Sequence, residues 1–240
     1  MSRTARLVLS VVGLLAVVVI GALAYIWVSA GSGEASGDIS APTLEAQFED
    51  AVDAGDNRIL FEIVPEESQV RFLIDEVLRG QPKRVIGRTN QVAGQVLVSF
   101  DSPQNSEVGP IRVNVRTLVT DDEFRNRAIR GQILQSQRDE FEFAQFTPTE
   151  ISGLPESITM GTPFTFTIQG DLQIRDITRP VTFEARVTPI SEDRIHGTAT
   201  AQVLRSDYGL EIPRVPGVAD VSNEVDLEIE FIAQAVDPGA

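Results

Sequence analysis

The sequence predicts an all-β domain: an antiparallel barrel of about eight strands with an apolar interior, accompanied by one short helix. Three observations carry this. Beyond residue 58, hydrophobic side chains recur with a period of two, the pattern of strands with one buried and one wet face. The alternating runs succeed one another across short polar breaks, so each pairs with a sequence neighbour in a meander. Eight such strands can close on themselves, which removes the exposed edges that an open sheet would present.

The chain begins with a different kind of segment. Residues 7–28 form an uncharged apolar run, long enough to cross a hydrocarbon core of about 30 Å. Arg3 and Arg6 precede it, Glu34 and Asp38 follow it, and Tyr25 and Trp27 fall where an interfacial aromatic belt would lie. The positive-inside rule then puts the N-terminus in the cytoplasm and the remainder outside. Residues 1–28 are expected to be a single-pass membrane anchor. The alternative is cleavage near Ala30 and a secreted domain.

Residues 29–57 are rich in Gly, Ser, Ala and acidic side chains and read as an acidic linker. Within it Leu44, Gln47, Phe48, Ala51 and Val52 share a helical face, with Ser40 or Thr43 as N-cap. They form either a short amphipathic helix or a half-formed turn in a tether. The barrel is expected over residues 58–236, with a tail at 237–240.

Within the barrel, residues 60–64 and 69–77 are strand-like, with Val70, Phe72 and Ile74 on one face. Residues 92–100 follow, with Val96, Val98 and Phe100 inward and Gly94 marking a bulge or bend. Ile111, Val113 and Val115 point inward; Arg112, Asn114 and Arg116 alternate with them outward. Residues 121–134 break the rhythm: Phe124, Ala128 and Ile129 sit at helical spacing after a Thr120/Asp121 N-cap. Gly131 costs that helix about 1 kcal/mol relative to Ala, so it is short or irregular. Phe141, Phe143 and Phe146 resume extended structure.

The clearest alternation is the run 164–187, FTFTIQGDLQIRDITRPVTFEARV, which reads as a hairpin. Phe166, Ile168, Val181 and Phe183 are its inward residues, and Pro180 is expected as the first residue of the second strand. Residues 197–203 and 224–236 complete the set, the latter with Val225, Leu227, Ile229 and Phe231 inward. The expected lumen wall is therefore Phe72, Val96, Val98, Val113, Val115, Phe166, Ile168, Val181, Phe183, Ile229 and Phe231.

Composition removes several functions. There is no cysteine, hence no disulfide, thiolate nucleophile or thiolate metal site. His196 is the one histidine, so neither a catalytic triad nor a histidine metal cluster can be assembled. The net charge is −15, and Arg3 and Arg6 are the only charges before residue 29, so the remainder is two units more negative still. Such a surface repels phosphate backbones, which argues against nucleic-acid binding. No catalytic residues, metal ligands or cofactor are expected. Arg125, Asn126, Arg127 and Arg130 form a rare basic cluster, either a polar rim that meets a ligand headgroup (Arg125 and Asn126 foremost) or partners of nearby acids.

Gly170, Leu172, Ile174, Asp176, Thr178, Arg179, Pro180 and Val181 together resemble the signature hairpin of the YceI-like family of extracytoplasmic lipid-binding domains. Further blocks agree in order: Phe61 to Phe72 with Pro65 and Ser68; Val92 and Gly94 running to Phe100; Thr117, Leu118, Thr120 and Asp121 before Arg125 and Asn126; and Arg205 to Gly209. The resemblance implies a lipocalin-like extended barrel with the helix near its mouth. It also implies an isoprenoid or quinone-like lipid in an apolar tunnel, a homodimer, and no catalysis. Residues 79–90 depart from it in lacking a histidine near the second strand. The expected function is a membrane-anchored extracytoplasmic carrier of such a lipid. The alternative is a filled barrel serving adhesion or assembly.

Overall fold

The computed structural model describes residues 31–42 and 57–236, with the isolated positions 17 and 21. Apart from those two positions the expected anchor lies outside the described residues, as does the expected amphipathic turn at 44–52. Among those described, no helix is long and apolar enough to cross a membrane.

The described domain is a strongly curled antiparallel β-sheet with one short helix. β1 (Ile59–Ile63) and β2 (Gln69–Leu78) run on either side of a short turn. The chain reverses at Arg79 and Gly80, both with positive φ, into β3 (Gln81–Thr89), β4 (Val92–Ala93) and β5 (Gln95–Val98). This return strand pairs along the first: Val70 lies opposite Thr89 and Ile59 opposite Val98. β6 (Glu107–Val108) and β7 (Ile111–Asn114) pair back onto β5 and β4. β8 (Phe143–Ser152), β9 (Phe164–Ile174), β10 (Ile177–Ser191) and β11 (Arg194–Leu204) follow, each paired with its predecessor. β12 (Val218–Ala219) pairs with β2. β13 (Glu224–Ala235) pairs with β11 on one side; on the other, Ile229 faces Val70 of β2 and Ala235 faces Phe61 of β1.

Alternation explains the side-chain placement. On β9, Ile168, Gly170 and Leu172 are buried while Gln169, Asp171 and Gln173 are exposed. One buried cluster gathers Phe146, Ile168, Leu172, Ala185, Ala199 and Tyr208; a second centres on Phe61, Val187 and Ile195. A third, Val115, Leu118, Ile129, Leu134 and Ala144, joins the helical segment to the sheet.

Two local expectations need correction, the helix N-cap and the place of Pro180, and two further features go beyond what the sequence predicts. Helix α1 is Glu123–Ala128, and its N-cap is Asp122, whose carboxylate accepts from the Arg125 N–H at 2.9 Å. It continues as a wider π-type turn at Ile129–Ile133, closed by the Leu134 N–H on Ile129 O, so Gly131 lies in an irregular turn. Pro180 is not the first residue of β10 but sits inside it, opposite Asp171, where β11 does not reach; such an edge-like stretch tolerates a missing N–H. The 81–89 segment, unassigned from the sequence, is β3. Asn114 and Arg116 do point away from the lumen, yet both are buried, because a second layer covers them.

Candidate functional site

The curled sheet encloses a cavity of about 840 Å³, within the range of roughly 300–1,000 Å³ typical of ligand sites. Of the predicted wall, Phe72 of β2, Val96 and Val98 of β5, Val113 of β7 and Val115 just beyond it line this space. Phe166 and Ile168 of β9, Phe183 of β10, and Ile229 and Phe231 of β13 complete the wall from the other strands. Val181 shares their parity, since it pairs with Gly170, but it packs half-buried against the Phe146 cluster and does not line the cavity.

Cross-strand pairing keeps large rings on the wall and out of the centre. Phe72 lies opposite Gly87, and Phe231 opposite Gly197. In each pair the ring occupies the place of the glycine's missing side chain, so that an added Cβ would lie under 3.0 Å from ring carbons. Gly170 is covered in the same way by Phe146. Phe146 in turn meets Phe183 edge-on, ring centroids 4.9 Å apart, a favourable aromatic geometry.

One edge of the cavity carries a cluster of charged groups. Lys83 Nζ and Arg125 Nη1 each lie 2.6 Å from Asp121, and Arg125 Nη2 lies 2.8 Å from the buried Glu76. The hydrogen bond from Lys83 outweighs the opposing effect of burial and, with the charges of Lys83 and Arg125, holds the Asp121 carboxyl below the ordinary range. This ladder fastens α1 to the β2–β3 hairpin. Arg125 thus lines the cavity, but it is paired with acids. Asn126 is buried off the wall, accepting from Thr120 and donating to Glu123. Phe124, 76% exposed, and Val215 border the same edge.

Behind the β7 side of the wall is a buried polar network. Glu142, 1% exposed, accepts from Asn114 at 2.7 Å and lies 3.2 Å from Arg116. Arg116 also donates to Ser136 O and Asp139. Ser36, from the segment expected to be linker, donates to Glu142 through its N–H at 2.9 Å and its hydroxyl at 2.6 Å. His196 is half-exposed beside Glu230 at 3.5 Å, and among the described residues no group of acids and histidines has metal-binding spacing.

Reading the sequence missed one notable wall residue, Tyr208. It lies in a polar stretch after β11, and its signal is only an aromatic residue beside a glycine. Its ring is buried and lines the cavity.

Fold and cavity define a class: a curled antiparallel β domain built around an apolar internal site, with a cluster of paired charges at one edge. A family model of the YceI-like domain matches residues 61–233, so the chain belongs to the YceI-like family. A UPF0312 protein of Shewanella denitrificans is 28% identical over 159 residues, covering 62% of this chain and 75% of that protein. Among solved structures, a polyisoprenoid-binding domain from Saccharophagus degradans, implicated in plant cell wall breakdown, superposes with a TM-score of 0.58 at 13% identity, covering 74% of this chain and 99% of that one. BcnA of Burkholderia cenocepacia gives 0.56 at 15% identity, with 72% and 99% covered. The YceI protein of Campylobacter jejuni gives 0.51 at 12% identity, with 63% and 85% covered. At these identities the structural likenesses speak for the fold.

Proposed function

We propose that this protein binds and carries an isoprenoid or quinone-like lipid in the cavity of the curled sheet. The single observation that carries this is the 840 Å³ space walled by Phe, Ile, Leu and Val side chains. A filled barrel would leave no such space, so the adhesion or assembly reading is the weaker one. The polyisoprenoid-binding description of the Saccharophagus domain supports the same ligand class.

The mechanism is burial. Each CH₂ removed from water contributes roughly 0.8 kcal/mol, so a few prenyl units supply affinity without polar help. In this reading the sheet is a closed lipocalin-like barrel. Support comes from the pairing circuit: β1/β2, β3–β5, β6/β7, β8, β9, β10, β11 and β13 each pair with the next, and β13 pairs with β1 and β2. The apolar run at 7–28, led by Arg3 and Arg6, supports a tether that holds the domain at the extracytoplasmic face of a membrane. No catalytic role is assigned.

Calorimetric titration with geranylgeraniol tests the reading. Saturable binding with a negative heat-capacity change, the marker of apolar burial, is expected. Absence of saturable heat at several temperatures would leave the cavity without its proposed role.

A further inference from the structure

The cavity wall is hydrocarbon over most of its extent, and Tyr208 is an exception. It ends the short helical turn Arg205–Tyr208, which Gly209 closes with a φ of +59°. Its side chain is 1% exposed and belongs to the cluster of Phe146, Ile168, Leu172 and Ala199. It lines the cavity, and its Oη has no hydrogen-bond partner among the described residues. A phenylalanine there would fill the same space without leaving a buried hydroxyl unsatisfied, which is costly. Ordinary packing therefore does not account for the oxygen.

We propose that Tyr208 Oη is the polar anchor of the lipid site, donating a hydrogen bond to a neutral acceptor oxygen, a carbonyl or an ether, on the bound lipid. This rests on the carrier reading and narrows its ligand class. Burial, with Asp207 nearby, pushes the phenol up to about 12, so at neutral pH the group is a donor. The acceptor is neutral because a phosphate among Phe146, Ile168 and Leu172 would lose its hydration without gaining a cation. Of the cations that line the cavity, Lys83 and Arg125 hold Asp121 and Glu76, Arg71 pairs with Glu228, Arg205 donates to the carbonyls of Ser222 and Leu210, and Arg79 is exposed at the β2–β3 turn.

The test compares the wild type with Tyr208→Phe for two probes of one shape: a short-tailed alkyl benzoquinone and the alkylbenzene with the same tail. The expected result is quinone binding weakened about three- to tenfold in the variant, the worth of one net hydrogen bond. Alkylbenzene binding should stay within about twofold, and the ligand-free variant should unfold at no lower temperature. Equal effects on both probes, or an unchanged quinone affinity, would overturn the proposal while leaving the carrier reading standing. So would a destabilised ligand-free variant, because it would mean the hydroxyl is already satisfied. If neither probe binds the wild type, the carrier reading fails and the anchor with it.

Discussion

Phe231 stands directly across from Gly197 in the β11–β13 ladder, and its ring occupies the space where that glycine's side chain would be. The pair holds a large apolar surface flat against the wall. Gly197→Ala should drive the ring toward the lumen, costing about 1–3 kcal/mol as an overpacked core does and weakening geranylgeraniol binding. Thermal unfolding and calorimetric titration check both effects. Unchanged affinity would mean that the Phe231 ring does not help to set the free volume.

Phe183 faces the cavity from β10, whereas its neighbour Thr182 is exposed. In a packed core Phe183→Ala would cost about 3–5 kcal/mol. Next to open space the loss should be nearer about 1–2 kcal/mol, chiefly the contact with Phe146, and longer prenyl chains should be accommodated. Thr182→Ala should stay within about 0.5 kcal/mol. Chemical denaturation paired with a chain-length series distinguishes these outcomes.

These two sites also mark what the sequence made legible. Parity alone placed Phe166, Ile168, Phe183 and Phe231 on the wall, because side-chain direction along a strand has a fixed period. It failed at β3, where the buried positions are Val85, Gly87 and Thr89. The apolar group over Gly87 is the ring of Phe72 from the adjacent strand, so the burial is real but its hydrophobicity is written elsewhere in the chain. Asn114 and Arg116 point outward as their parity predicts, and their burial escaped the pattern for a related reason. Their outward face is roofed by Ser36, Ser136 and Glu142, and no local pattern announces a contact 106 residues away in sequence. The Arg125 cluster was legible as two alternatives, and the structure shows Arg125 paired with Glu76 and Asp121.

That roof gives a pH prediction. Burial pushes the Glu142 carboxyl up, but hydrogen bonds from Ser36 and Asn114 and the charge of Arg116 outweigh it, leaving the group below its ordinary value. With the folded pKa lower than the unfolded one, the ionised carboxylate stabilises the fold above the ordinary value of about 4.3. That stabilisation is lost as the pH falls through the depressed value. Wild-type stability should therefore fall more steeply below about pH 4.3 than that of Glu142→Gln. Thermal melts across that range check it, and equal slopes would contradict it. At neutral pH Ser36→Ala should cost about 1–2 kcal/mol, as loss of a hydrogen bond to a charged group does.

The apolar run 7–28 carries a topological prediction. The mature protein should begin at or near Met1 and stay with membranes through a high-salt wash. N-terminal sequencing that finds Gly31 first would make the domain a freely released one.

The central claim, a lipid held in the cavity, is tested most directly by native mass spectrometry of the intact protein purified from its own membranes. The account predicts one non-covalent adduct whose mass fits an isoprenoid chain bearing a neutral oxygen function, displaced by added geranylgeraniol. A bare protein mass under gentle conditions, unchanged when geranylgeraniol is added, would contradict it.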